Sequence, residues 1–199
     1  HPGGGDAGVG FDAERAEQVL HRALQVRSQI QFHEITGAVF DTLAEIALMR
    51  GGYESAGDYL RKAGEAYGGY GAQTSLWYEW SIRVLEAKLA ARRGSTEEAI
   101  RLANEIATST TAPPVEAIQG DLIACEALLG AGRAAEAEAR LGRVAERIDP
   151  RAMPGMWGQF LRFRGALHGS AGRLSEAYHD IAQSASVFEL IGEGYQGAL

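Results

Sequence analysis

The sequence predicts an all-helical chain built from a repeated unit, and three observations carry that prediction. Residues 3–112 contain no proline, the five prolines falling at 2, 113, 114, 150 and 154; alanine, leucine, glutamate and arginine dominate the stretch, and all four favour helix. No segment of useful length alternates apolar and polar residues with period two, the pattern of a half-buried strand. Finally, an alanine recurs in similar surroundings at spacings of 40, 43, 38 and 40 residues. Such a period is the mark of a repeat architecture.

Taken in order, the copies are Ala16 in FDAERAEQVL, Ala56 in GGYESAGDYL, Ala99 in GSTEEAIRLA, Ala137 in GRAAEAEARL and Ala177 in GRLSEAYHDI. A glycine stands five residues before the alanine in four of them: Gly51, Gly94, Gly132 and Gly172. A small residue stands twelve before it: Ala44, Ala87, Cys125 and Gly165. Four residues after it come Leu20, Leu60, Ala103, Leu141 and Ile181, and seven after it Ala23, Ala63, Ile106, Val144 and Ser184. Those spacings share one helix face with the alanine.

Each unit therefore reads as two helices. The first ends at the glycine, which can take the left-handed conformation that closes a helix. Arg50 and Arg92–Arg93 precede two of those glycines, where a cation suits the helix dipole. The second helix begins within a residue or two, and Ser95–Glu98 has the spacing of a capping box. The small residues let the paired helices approach closely, and Cys125 reads as one of these rather than as a reactive thiol.

This spacing of small residue, glycine, aromatic and alanine resembles tetratricopeptide repeats. The units exceed the usual repeat of about 34 residues. They are more similar to the long-helix variety found in large bacterial regulators, including transcription activators coupled to a signal-transducing ATPase. The resemblance covers roughly residues 11–199 and implies a right-handed superhelix, or solenoid, of antiparallel helix pairs, about nine helices in all. Residue 43 (Leu43) and Ala124 match the leucine-like position beside the small slot, whereas Glu86 and Arg164 do not. The aromatic after the glycine survives only as Tyr53. The first copy has a second helix, about Ala13 to Gln31, with no first helix before it, and Glu193 to Leu199 begins a further one. The expectation is a piece of a longer protein.

Composition narrows the function. The net charge of −7 does not suit sequence-independent phosphate binding, so no nucleic-acid partner is expected. No apolar run approaches a membrane span and the start lacks a signal pattern, giving a cytoplasmic default. The single cysteine provides neither a disulfide nor a metal cluster. HPGGGDAGVG, residues 1–10, contains Gly3, Gly5 and Gly8 at dinucleotide-fingerprint spacing but follows no strand. It reads as a flexible linker or an expression remnant. His21, His33, His168 and His179 are scattered, without ligand spacing. No catalytic, cofactor or metal residue is expected.

Two sets of side chains remain. By the resemblance, the inner surface is lined by the first helix of each unit: Asp41, Glu45 and Met49; Ser81, Lys88 and Arg92; Gln119 and Glu126; Gln159 and Arg162. This polar, mixed-sign groove suits a protein or peptide partner, or another domain of the same chain. The aromatic group Tyr67, Tyr70, Trp77, Tyr78 and Trp80 reads first as packing between repeats. As the alternative, Trp77, Tyr78 and Trp80 form a binding hot spot. Arg140, Arg143 and Arg147 share a helix face and raise an anion site, against a solvated mixed-charge helix as the blander reading. The expected function is non-catalytic protein–protein interaction within a bacterial signalling or transcriptional regulator. The alternatives are a small-molecule or peptide effector sensor, or an oligomerisation spacer pairing through its ends.

Overall fold

The computed structural model describes residues 13–26, 33–68 and 76–192. Among them are nine α-helices and no strand: α1 (Ala13–Val26), α2 (His33–Met49), α3 (Tyr53–Gly68), α4 (Leu76–Arg92), α5 (Thr96–Thr108), α6 (Pro114–Gly130), α7 (Ala134–Ala145), α8 (Pro154–Ser170) and α9 (Leu174–Leu190). The linker expected at 1–10, the end of the first helix beyond Val26, and the run from Glu193 to Leu199 lie outside the described residues.

The expected glycine turns are present in all four copies. Gly51, Gly94, Gly132 and Gly172 have φ between 72° and 75°. The Gly51 N–H donates to the Leu48 carbonyl (3.1 Å) and the Gly52 N–H to that of Ala47 (2.8 Å). This pair of bonds is a Schellman closure, and it recurs at Gly94/Ser95, Gly132/Arg133 and Gly172/Arg173. The next helix starts at once, because the carbonyl just after each glycine accepts the N–H of Ala56, Ala99, Ala137 or Ala177. One residue thus ends the closure of one helix and begins the next. That economy removes the expected capping box. Ser95, at φ −79° and ψ 66°, makes no side-chain cap bond. It lies outside the extended backbone that aims an N-cap hydroxyl at the first turn. Glu98 pairs with Arg101 instead, at 2.7 Å.

Turns this short make helix partners antiparallel, and the small residues set their separation. Ala44, Ala87, Cys125, Ala56, Ala99 and Ala137 are all fully buried. The Cys125 thiol, pushed up to about 12 by burial and by Glu126, stays protonated, as a small core residue should. Leu60, Ala103 and Leu141, four residues on from the alanines, are buried too. At the last copy Ile181 is 44% exposed, although it holds the same register position.

A second complementary site was not anticipated. Seven residues before the small slot stand Gly37, Trp80, Ile118 and Gly158; eleven after the alanine stand Tyr67, Thr110, Ile148 and Phe188. A Cβ at Gly37 would meet the Tyr67 ring at 2.2 Å, and one at Gly158 the Phe188 ring at 2.7 Å. Glycine faces an aromatic ring in the first and last pairs, whereas in the second Trp80 is buried and Thr110 exposed. In those two pairs the absent glycine side chain makes room for the ring, as close packing requires.

Every second helix also packs on the next: α2 on α4, α4 on α6, and α6 on α8. Their common side carries the site considered below.

Two glycines test the packing. A Cβ at Gly120 would stand 2.8 Å from the Ala103 carbonyl oxygen, whereas one at Gly142 meets nothing within 4 Å. Gly120→Ala should cost about 1–3 kcal/mol in chemical denaturation. Gly142→Ala should add roughly 0.5–1 kcal/mol, because alanine loses less freedom on folding. Equal effects would contradict the close approach of α5 and α6.

Candidate functional site

All ten residues assigned to the inner surface line two adjoining clefts. Glu45, Met49, Lys88, Arg92, Glu126, Gln159 and Arg162 line the first, drawn from α2, α4, α6 and α8. Asp41, Glu45, Ser81, Lys88 and Gln119 line the second, with Val84, Leu85 and Glu116. Glu45 and Lys88 belong to both. Helical periodicity produces this arrangement, since one residue per turn of each first helix faces the same way.

Polar contacts tie neighbouring helices along the groove. The Ser81 hydroxyl of α4 donates to Asp41 Oδ2 of α2 at 2.7 Å. Lys88 Nζ lies 3.6 Å from Glu45 Oε1, again joining α4 to α2. Arg92 Nε lies 2.8 Å from Glu126 Oε1, joining α4 to α6. Partly exposed pairs of this kind contribute about 0.2–1 kcal/mol each. Their larger effect is to hold the lining side chains in place.

Asp41 differs from its neighbours. Burial pushes its carboxyl above the ordinary range; the Ser81 bond offsets part of this and Glu45 adds to it. Its Oδ1 is buried without a hydrogen-bond partner, and so is Glu116 Oε2 in the same cleft.

The arginines of α7 and of the turn after it, where Arg147 lies, correct the sequence reading. Arg140, Arg143 and Arg147 form no open anion site, and although Arg143 and Arg147 stay solvent-exposed at 51% and 37%, the face is more than a solvated one. All three turn onto one carboxylate, that of Asp121 on α6, which is 2% exposed. Arg140 Nη1 reaches Asp121 Oδ1 at 3.0 Å and Arg143 Nη2 reaches it at 2.6 Å; Arg147 takes Oδ2. Arg140 also donates to Asn104 of α5, so three helices are joined. Burial pushes the Asp121 carboxyl up, but the bonds from Arg143 and Arg140 outweigh it and hold it below its ordinary value. Arg164, which departs from the leucine-like pattern, has the same use. It grips the buried Asp180 of α9 through Nε (2.8 Å) and Nη2 (2.6 Å), with His168 Nδ1 3.1 Å from the same carboxylate. Register is kept there, because Gly165 is buried with a Cβ position 2.9 Å from Ile181. Glu86 keeps register as well, with Ala87 fully buried beside it.

The aromatic group resolves in part. Tyr67 is buried and stacks on Tyr78, ring centroids 4.5 Å apart. Trp80 is 6% exposed and packs with Val84, Ala103 and Ile106, so it belongs to the core rather than to an exposed patch. Tyr70 and the Trp77 side chain lie outside the described residues. Among those described, no group of three or more His, Cys, Asp or Glu could hold a metal ion, and no helix is long and apolar enough to cross a membrane.

No family model, curated protein or solved structure matches this chain.

Opposite acid responses follow for two aspartates. The folded Asp121 carboxyl sits below the unfolded value of 3.8, so its stabilisation is present above that value and lost as pH falls through the folded one. The Asp41 carboxyl sits above 3.8, so its contribution is complete below that value and lost as pH rises through the folded one. At pH near 7, Asp121→Asn should cost about 1–3 kcal/mol, and Asp41→Asn should raise the melting temperature. Both differences should shrink in acid. A melting series in which Asp41→Asn destabilises at neutral pH would refute this assignment.

Proposed function

We propose that the chain is a tetratricopeptide-repeat-like interaction module, a right-handed superhelix of antiparallel helix pairs acting in the cytoplasm as part of a larger bacterial regulator. It binds a protein or peptide segment, or another domain of the same chain, along the groove of α2, α4, α6 and α8. One observation carries this reading: ten side chains, chosen by the resemblance and by register, line a shared polar groove contributed by every second helix. The mechanism is shape-based. Helix pairs bury one another's faces, and the ion pairs across α2, α4 and α6 hold the lining side chains for a partner that supplies complementary polar groups. No residue is assigned a catalytic role.

The cleft sizes favour a peptide over a small-molecule effector. Their cavity volumes of about 60 and 190 Å³ suit individual side chains, whereas pockets for drug-sized ligands run to roughly 300–1,000 Å³. A photo-crosslinking residue at Gln159 or Gln119 should capture a partner in cells of the source organism. Lys88→Glu with Arg92→Glu should abolish that capture while leaving the melting temperature within a few degrees. Capture that is indifferent to the charge reversal, yet lost on altering the outer face of α5, would place the interface elsewhere.

A second reading has one observation in its favour. Leu174, Tyr178 and Ile181 lie exposed along α9, at 72%, 77% and 44%, although Ile181 shares its register with the buried Leu60, Ala103 and Leu141. If end-to-end pairing is the function, sedimentation velocity should show a concentration-dependent dimer that Ile181→Glu dissolves. A monomer at all concentrations removes this reading.

A further inference from the structure

We infer that the second cleft receives a basic side chain of the bound segment, an arginine or lysine whose stem lies on Val84 and Leu85 and whose head meets Asp41 and Glu116. This rests on the groove reading and names the partner's chemistry at one point along it.

The two clefts differ in sign. Lining the first are three cations, Lys88, Arg92 and Arg162, against the two carboxylates Glu45 and Glu126. The second has three carboxylates, Asp41, Glu45 and Glu116, against Lys88 alone. Lys88 pairs with Glu45 at 3.6 Å and acts on Asp41 only weakly and without a hydrogen bond, which leaves Asp41 and Glu116 to be answered. Ser81 donates one hydrogen bond to Asp41 Oδ2. The opposite oxygen, Oδ1, and Glu116 Oε2 are buried acceptors with no donor among the described residues. A buried acceptor left unmatched is costly, and a charged one more so. A ligand that brings donors and positive charge relieves that cost at the moment of binding.

The kind of cation is also constrained. The carboxylates come from α2 and α6 and do not converge as a metal-ligand set. They call for an extended group with several donors rather than a point ion. The floor between them is apolar, formed by Val84 and Leu85, both 4% exposed. An aliphatic stem ending in a guanidinium or ammonium matches both features, and a guanidinium can serve two acceptors at once.

The test uses the whole chain, ¹⁵N-labelled, titrated with acetyl-Ala-Arg-Ala-amide and with its lysine, citrulline and norleucine counterparts. The arginine or lysine peptide should shift the backbone amides of Ser81, Gln119 and their neighbours, more strongly at low salt. Citrulline and norleucine peptides should leave them in place. Asp41→Asn and Glu116→Gln are near-isosteric, and each should weaken binding of the cationic peptide about tenfold with the rest of the spectrum unchanged. Equal shifts from the norleucine peptide would overturn the inference while leaving the groove as an interaction surface. Shifts from the arginine and lysine peptides that map only outside these helices, or none at all, would overturn it too. The groove reading itself is decided separately by the crosslinking capture.

Discussion

Chain reversal at a left-handed glycine is the constraint on which the rest of this structure depends. At φ near +73° the glycine lets two hydrogen bonds close one helix within a residue of where the next begins. The paired helices are then forced back along each other at a fixed offset. Ala44 meets the helix that starts at Tyr53, and Cys125 meets the one that starts at Ala134, with the Cys125 thiol 3.8 Å from the Ala137 carbonyl. A larger side chain at either small position would change the separation and tilt of the pair. The four turns share one geometry, α2, α4, α6 and α8 pack in succession, and one side of that stack lines the groove.

Charge divides between two roles. Asp121 and Asp180 are deeply buried carboxylates that arginines from the partner helix hold ionised, and each ties a second helix to its first. The second-helix members share a register with opposite sign, while the first-helix members differ, Asp121 standing four residues before the small slot and Arg164 one. Three residues after the repeat alanine stands Arg140 in one copy and Asp180 in the next. Removing one partner of such a pair leaves a group that has lost its solvent without compensation. Asp41 and Glu116 sit in a different environment, half-buried beside the groove and short of donors. The same desolvation that arginines offset at Asp121 is left partly uncompensated at Asp41.

How much of this was legible from sequence follows from the range of each interaction. The glycine turns are local backbone events, so spacing alone located all four. The groove positions were legible because the resemblance pointed to the first helices, and register then propagates along each helix without reference to its neighbours. The partner of the arginine cluster was missed because it lies nineteen or more residues away, at Asp121, a carboxylate that is buried only once the helices pair. The Ser95–Glu98 pattern failed for a different reason. It is a valid local signal, but the preceding Schellman closure had already fixed the backbone of Ser95. The exchange of glycine for aromatic at Gly37–Tyr67 and Gly158–Phe188 was missed because each partner looks ordinary by itself. Aligning the two register positions across the four copies would have exposed it.

Stacking of the first helices into one groove is the central claim, and the two lysines of the chain make it testable by zero-length crosslinking. Carbodiimide joins an amine to a carboxylate only when they already touch, and Lys88 Nζ lies 3.6 Å from Glu45 while Arg92 lies 2.8 Å from Glu126. Peptide mapping by mass spectrometry should find a Lys88–Glu45 amide in the wild-type chain. An additional Arg92→Lys to Glu126 amide should appear in that variant, both within monomeric protein. Crosslinks from Lys88 to carboxylates of the second helices, such as Glu54 or Glu98, or to none within the monomer, would contradict the stack and the groove with it.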